Sequence, residues 1–427
     1  MGGPEPQQSK VNHNLHGDYI SDLPDDLKHE IFLRLPIKDV VRTSILSSKW
    51  KDSWTSIPSL GFVERSTESK LIELVDNVLR IHRGLILNFM LVLKHPCNEA
   101  MGRWMLILSR NGTKNFDIRY DGDEKCKIPS RLFSCVALER VFLSCSIINV
   151  PPTFQGFKLL RSLKLLNFNL AGSSIGNLVS HCPSLKYLAL YKFVEQGCLH
   201  ILAPNLIQLS IYGEFHDLIL ETPKLTFGSI GLYSHNRDNI KSIAAKAGKG
   251  SNITRVLGNL HNIQKLHVYD DFLNYLAMGP IPGNLPTIFP HLTEMFVPLC
   301  CLVQDEIAAA FCLFKSVPNL KKLRIEFVYF EDEDQPVQNL SKLKPTEDCF
   351  FKCLETVNIL CERNNVLLAE SMLEFTKLVL GTAPVLQKLN IINFDDALFY
   401  RKIECFLKLS KKAEIVSVKN NEDWLIM

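Results

Sequence analysis

The residues of this chain that could perform chemistry are dispersed rather than clustered. Twelve histidines and thirteen cysteines are spread over 427 residues. Cys300 and Cys301 are adjacent, and Cys349 and Cys353 are four apart, but no CxxC or second ligand pair completes a zinc site. Phosphate-binding glycine loops, nucleophile elbows and HExxH patterns are absent from the sequence. The sequence therefore predicts no catalytic residue, no metal site and no cofactor.

Composition and charge narrow the classes of partner. The chain is 46% hydrophobic and 22% charged with a net charge of +3, so no basic stripe indicates nucleic acid. The longest apolar run, residues 85–93, is too short to span a bilayer, and residues 1–17 lack the apolar core of a secretory signal. Scattered single cysteines are typical of a reducing compartment. We expect a nuclear or cytoplasmic protein that binds neither nucleic acid nor membrane.

Residues 18–54 contain short amphipathic helical patterns and no catalytic group. Pro24 suits the first turn of a helix, and large apolar residues then recur every four positions from Leu27 to Leu35, before Pro36 ends the helix. A second short helix follows, and a third carries two tryptophans. So small a unit cannot cover all these side chains, and uncovered apolar surface often marks an interface. The alternative is an ordinary helical cap on a larger domain.

The rest of the chain repeats a unit with apolar residues at its first, fourth and sixth positions. Clear copies begin at Leu185, Leu206, Leu320 and Leu386, and looser copies begin with Leu138. Successive units start about 19 to 38 residues apart, and the shorter spacings fit leucine-rich repeats. The last two apolar positions have strand spacing, and helix-like spacing precedes several units. Such units bury their apolar faces only by stacking, so we predict an α/β fold: an irregular solenoid forming a short, imperfect horseshoe.

Several segments of the chain resemble one family of plant proteins. The string running from Leu23 to Trp50 is similar, without gaps, to the F-box of plant proteins. Residues 102–118 and 136–165 resemble the plant F-box/leucine-rich-repeat proteins, and residues 350–392 resemble the FBD region that closes many of them. The sequence is thus similar to the plant F-box/FBD/LRR-repeat family.

The resemblance implies four regions along the chain. A disordered N-terminal tail would cover residues 1–17, and a three-helix F-box would cover residues 18–60. Irregular leucine-rich repeats would cover residues 61–345, and the FBD region with a C-terminal strand would cover residues 346–427.

In that family the F-box docks on the Skp-type adaptor of a cullin-based ubiquitin ligase. The positions that match the motif supply the residues expected to bind the adaptor. They are Leu23, Pro24, Leu27, Ile31, Leu35, Pro36, Val40, Leu46, Trp50 and Trp54.

The strand residues between the inward leucines should face the concave side of the solenoid. Aromatic and basic side chains on such a face suit protein recognition, and we expect the histidine among them to be solvated. The predicted substrate-binding residues are Phe142, Lys164, Tyr187, Tyr191, Tyr212, His267, Tyr269, Phe296 and Arg324.

The resemblance implies a non-catalytic substrate receptor of a Skp–cullin–F-box (SCF) ubiquitin ligase. One end of the chain would bind the adaptor, and through it the cullin, while the repeats would hold an unknown protein substrate for ubiquitination. One alternative is a non-ligase scaffold that binds proteins through its repeats, with or without the adaptor contact. A receptor for a small ligand and an enzyme are two further alternatives, and no feature of the sequence favours either.

Overall fold

The structure is a computed structural model that describes most of the chain after residue 21. The predicted tail, together with Pro36 and Leu46 of the predicted adaptor surface, lies outside the described residues. The described residues are 22–35, 37–43, 45, 50–64, 68–95, 97–120, 122, 124–232, 252–258, 260–285, 288–300, 304–328, 351–361, 368–394, 396–406 and 413–418.

The N-terminal unit contains two α-helices and a short 3-10 helix in its described part. Helix α1 spans Asp25–Leu33, α2 spans Ile37–Thr43, and the 3-10 helix spans Ser53–Ser56. The predicted third α-helix is therefore not present over residues 50–56. The Thr55 hydroxyl donates to the carbonyl three residues earlier at 2.7 Å, which competes with helical backbone bonding, and a proline follows two residues after the turn.

Over the described residues, the main feature of the fold is a parallel sheet of fifteen strands. The order of the strands across this sheet follows their order along the chain, except that β4 (Cys126–Ile128) lies off the path and pairs only with β5 (Arg140–Asn149). Strands β8 and β10 form a separate parallel pair. The strands are β1 (Ser59–Val63), β2 (Asn88–Leu93), β3 (Asn115–Tyr120), β4 (Cys126–Ile128), β5 (Arg140–Asn149), β6 (Ser162–Ala171), β7 (Tyr187–Val194), β8 (Cys198–Leu202), β9 (Gln208–Glu214), β10 (Asp217–Glu221), β11 (Phe227–Leu232), β12 (Lys265–Asp270), β13 (Glu294–Cys300), β14 (Lys322–Val328), β15 (Thr356–Cys361), β16 (Lys388–Ile392) and β17 (Glu414–Val418).

Helices connect many of these strands, as parallel pairing requires. The α-helices after the N-terminal unit are α3 (Glu68–Ile81), α4 (Asn98–Arg110), α5 (Ile175–Ser180), α6 (Asn252–Leu257), α7 (Phe272–Ala277), α8 (Gln304–Lys315), α9 (Ala369–Thr382) and α10 (Ala397–Phe406). Consecutive helices pack on one another in the pairs α3 with α4, α6 with α7, α7 with α8, and α9 with α10. A second 3-10 helix, Ser130–Ser134, packs against α4.

The predicted repeat positions form the core, which confirms an α/β fold with a parallel sheet. In the unit that begins at Leu185, the side chains of Leu188 and Leu190 lie on β7 and are fully buried, and equivalent leucines from the other units are buried in the same way. The sheet also begins earlier than the first predicted unit, because β1 to β3 precede Leu138. Those strands alternate buried and exposed residues but lack the leading leucine of the repeat.

Hydrogen bonds and aromatic stacking hold successive units in register. At the amino ends of the strands, the Arg161 amide donates to the Glu139 carbonyl at 2.8 Å and the Lys186 amide donates to the Arg161 carbonyl at 2.9 Å. Towards the carboxyl ends of β6 and β7, the rings of Phe168 and Phe193 stack with their centroids 5.7 Å apart. The parallel register therefore places equivalent residues of successive units side by side on each face of the sheet.

Candidate functional site

The first candidate surface is an apolar stripe that begins on helix α1 and continues to Leu35, two residues past its end. Leu27, Ile31 and Leu35 are exposed by 50%, 37% and 38%, although they are large apolar side chains. The opposite side of α1 is buried: Phe32 is 2% exposed and its ring meets that of Trp50 edge-to-face, with centroids 5.3 Å apart. Phe32 therefore fixes α1 on the rest of the unit, while the stripe remains available to another protein.

Three of the residues predicted to bind the adaptor are buried within the chain itself. Val40, Trp50 and Trp54 are only 1%, 3% and 7% exposed and belong to the same core as Phe32. The chain's own side chains therefore cover these three, and their contact with the adaptor stays a prediction. Leu23 is partly buried against that core, and Pro24 is exposed at the start of α1.

The second candidate surface is the sheet face that does not carry the core leucines. We call it the open face and define it by the first, third and fifth residues of each strand along the fifteen-stranded sheet. These positions are mostly exposed or half-buried, whereas the positions between them are buried, as on β9. Of the predicted substrate-binding residues, Tyr187 is 44% exposed and Lys164 is also exposed. Half-buried positions are held by Phe142, Tyr191, Tyr212, Tyr269 and Arg324.

Cations and aromatic rings alternate across β3, β5, β6 and β7 on the open face. Arg119 donates to the Asp117 carboxylate at 2.8 Å, which raises the pKa of the guanidinium, and it lies 5.1 Å from the centroid of the Phe142 ring. The Lys164 ammonium lies 5.0 Å from the same ring and 5.8 Å from that of Tyr191. Among the described residues, no carboxylate forms an ion pair with Lys164. Such contacts orient the cation while leaving its charge available.

The predicted solvated histidine of the open face is instead buried, which corrects that expectation. His267 is 9% exposed because the rings of Phe227, Tyr269 and Phe296 surround it at centroid distances of 5.2, 6.3 and 6.2 Å. Phe296 is also buried, at 4% exposure, under the Arg324 guanidinium, 5.0 Å from its centroid. Neither buried ring offers free surface to a substrate. Together these residues bound the exposed part of the face at β12 and β13.

Burial lowers the pKa of His267 below its ordinary value. The Glu294 carboxylate, 3.5 Å away, partly offsets this, and the positive charges of Lys265 and Arg324 add to the lowering. The folded protein therefore holds this imidazole neutral under conditions in which the unfolded chain already binds a proton.

We expect His267 to make the folded state sensitive to mild acid. Its pKa is lower in the folded than in the unfolded chain, so its stabilising contribution is complete above the unfolded value, about 6.5, and declines as the pH falls below it. Urea unfolding at pH 7.5 and pH 5.5 measures this. The His267→Phe variant should lose less stability between these pH values than the wild type does. Equal losses in the two proteins would contradict the assignment.

Sequence reasoning missed several residues that shape the open face. It singled out large side chains and overlooked Ala189, Ser210 and Ser229, which lie side by side at the third strand position. It also omitted Arg119 and Phe227. The alternation of residues along each strand could have identified all five, because the same parity that places the leucines inward places these residues on the other face.

Within the described ranges, no group of three histidine, cysteine, aspartate or glutamate side chains could hold a metal ion. Helices long and apolar enough to cross a membrane are likewise not found there.

Comparison with known proteins identifies the family. Residues 20–60 match the F-box domain model, and residues 101–325 match the model of the leucine-rich repeats of the FBD-associated F-box protein At5g56370. The chain is 33% identical to the F-box/FBD/LRR-repeat protein At1g13570 of Arabidopsis thaliana, over 88% of this chain and 91% of that protein. It is 22% identical to the F-box/LRR-repeat protein 13 of the same plant, over 93% and 96% of the two chains. The chain belongs to the plant F-box/FBD/LRR-repeat proteins.

Proposed function

We propose that this protein is the substrate-recognition subunit of an SCF-type ubiquitin ligase. F-box/LRR proteins are generally non-catalytic substrate receptors of such ligases, and F-box domains typically bind Skp-like adaptors. The observation that carries the proposal is the exposed stripe of Leu27, Ile31 and Leu35, which lies inside the segment that matches the F-box model. Leu23 and Pro24 extend this surface, and the cullin would join through the adaptor.

We further propose that the repeats hold a protein substrate on the open face. Aromatic rings and cations at interface centres are typical of binding hot spots, and Tyr187, Tyr191, Tyr212 and Lys164 have this character. We also propose that the parallel sheet curves into a horseshoe and that the open face lies on its concave side. The scattered cysteines favour a nuclear or cytoplasmic location.

A receptor of this kind needs no catalytic group of its own. It holds a substrate lysine near a ubiquitin-charged enzyme bound elsewhere on the assembly, and the gain in rate comes from a high effective concentration. The parallel ladder suits this task, because its backbone hydrogen bonds connect every unit from the F-box to the last strand in one sheet.

Affinity purification of the full chain from plant cells with the proteasome inhibited tests this function. The wild type should recover a Skp-like adaptor and a cullin, whereas a variant with Leu27→Asp and Ile31→Asp should recover neither. Proteins retained by both forms are candidate substrates. The reconstituted wild-type ligase should transfer ubiquitin to at least one of them, and the ligase containing the variant should not.

The same experiment separates this function from that of a non-ligase scaffold. A scaffold would retain its bound proteins in both forms, and reconstitution with adaptor, cullin and a ubiquitin-charged enzyme would transfer no ubiquitin to them. That outcome would overturn the ligase role while leaving the open face as a protein-binding surface.

A further inference from the structure

The open face contains a trough with a floor of small side chains. Ala189 on β7, Ser210 on β9 and Ser229 on β11 are neighbours in register, and all three are half-buried. Large side chains flank them on the same strands. The middle row is short, whereas Tyr187, Gln208 and Phe227 on one side and Tyr191 and Tyr212 on the other are long, so the surface between them is recessed.

Aromatic residues form the two walls of the trough. Tyr187 and Phe227 lie in the first-position row, and Tyr191 and Tyr212 lie in the fifth-position row. Gly231 permits the second wall to close: a Cβ atom at this position would lie 2.6 Å from the Tyr212 ring. A side chain there would displace the tyrosine, so glycine allows the ring to lie across the neighbouring strand.

The ends of the trough differ in character. Lys164 on β6 pairs in register with Ala189 and closes one end with a positive charge. His267 on β12 pairs in register with Ser229 and closes the other end with its aromatic surroundings. Adjacent strands are about 4.8 Å apart, so four strand steps separate these ends by about 19 Å. An extended peptide that rises about 3.3 Å per residue covers this length with about six residues.

Positive charge predominates at the Lys164 end of the trough. From β5 to β11 of the fifteen-stranded sheet, the first, third and fifth strand positions carry Arg140 and Lys164 and no aspartate or glutamate. Carboxylates lie outside these positions, at Glu214, the seventh residue of β9, and at Glu294, beside the His267 end. Lys265 is paired with Glu294 on the next strand, at 2.8 Å. Lys164 instead contacts aromatic rings, so its ammonium is held at the trough without a carboxylate among the described residues. A carboxylate on the ligand would complete this site.

We propose that this trough binds an extended acidic segment of about six residues from the substrate protein. An aspartate or glutamate of the segment pairs with Lys164, and a large apolar side chain beside it fills the recess over Ser210. This deepens the proposed function and rests on it, since it assigns a chemical class to the substrate. Few cations and a short, aromatic-walled recess favour a peptide over a nucleic acid, whose affinity depends on many phosphate contacts.

Selection from a random peptide library displayed on phage, against the immobilised full chain, tests the proposal. Enriched peptides should combine aspartate or glutamate with a large apolar residue within about six positions. Selection on the Lys164→Glu variant should lose the acidic preference, whereas Lys164→Arg should keep it. Ser210→Trp, which fills the floor, should remove the enrichment.

The best enriched peptide is then measured by fluorescence anisotropy. Its affinity should fall at least about tenfold for Lys164→Glu, because a charge-assisted contact becomes a repulsive one. Lys388→Glu is the matched control, since Lys388 is an exposed lysine on the same face at β16, outside the trough. It should leave the affinity unchanged. Circular dichroism verifies that each variant is folded.

Two results would overturn the proposal: enrichment without an acidic preference, or equal affinities for wild type and Lys164→Glu. Adaptor capture by the wild-type chain is measured in parallel and does not depend on the peptide. If capture and ubiquitin transfer succeed while the acidic preference is absent, the substrate class is wrong and the ligase role stands. If the acidic peptides bind but no adaptor is captured, the ligase role fails instead.

Discussion

Replacing Leu27 and Ile31 with aspartate should abolish capture of a Skp-like adaptor by the otherwise folded protein. Both residues are exposed, by 50% and 37%, so the substitutions leave the buried core of the unit in place. An interface hot spot costs at least about 2 kcal/mol when truncated, which corresponds to about 30-fold in affinity for each residue. A charge placed in an apolar interface adds a desolvation cost, so the double variant should bind too weakly for recovery in a pull-down assay.

The matched control for this experiment is Leu398→Asp. Leu398 is also an exposed leucine on a helix, 66% exposed on α10, but it lies at the other end of the chain from the F-box match. This variant should capture the adaptor as the wild type does. Calorimetric titration of purified adaptor gives the affinities. Wild-type affinity in the Leu27→Asp/Ile31→Asp variant would show that the stripe on α1 is not the adaptor surface.

The second large effect is expected at Trp104, where Trp104→Ala should lower the free energy of unfolding by about 3–5 kcal/mol. The indole of Trp104 on α4 is completely buried, and its Nε1 donates to the Asp76 carboxylate of α3 at 2.7 Å. The same carboxylate accepts from the Arg103 guanidinium at 2.8 Å. Truncation therefore leaves a large cavity and removes a hydrogen bond that joins α3 to α4.

Urea unfolding monitored by circular dichroism measures this loss. Trp104→Phe keeps most of the ring volume but not the donor, so it should cost less than Trp104→Ala. Combining it with Asp76→Ala should cost less than the sum of the two single losses, because both substitutions remove the same hydrogen bond. Tyr187→Ala provides the exposed aromatic control, for which a change within about 0.5 kcal/mol is expected. A Trp104→Ala variant as stable as the wild type would contradict the packing between α3 and α4.

The main architecture could be predicted from the sequence because its signal is periodic and local. The spacing of Leu185, Leu188 and Leu190 reports a strand with one buried face, and equivalent triplets recur along the chain. Helix α9, at Ala369–Thr382, and strand β17, at Glu414–Val418, occur where the pattern or the resemblance placed them. The predicted third helix of the F-box is not present over residues 50–56, because side-chain hydroxyls and a nearby proline compete there with helical hydrogen bonding.

The candidate surfaces were predicted less completely, because exposure depends on neighbours that are distant in the chain. Trp50 has the spacing of an interface residue, yet the Phe32 ring of helix α1 packs against it. His267 alternates with core residues as an outward residue should, yet Phe227 and Phe296 come from strands on either side and enclose it. No local pattern contains those contacts.

The sequence by itself determined the family, the parallel strand units and the face on which each strand residue lies, since all three follow from local spacing and motif. Only the tertiary structure decided which of those residues remain exposed. The in-register ladder places side chains from widely separated positions about one strand spacing apart, so large neighbours bury one another and small ones leave a recess. That is why Ala189, Ser210 and Ser229 form the floor of a trough. Leu27 and Ile31 remain available because α1 packs on its unit through the opposite side, at Phe32.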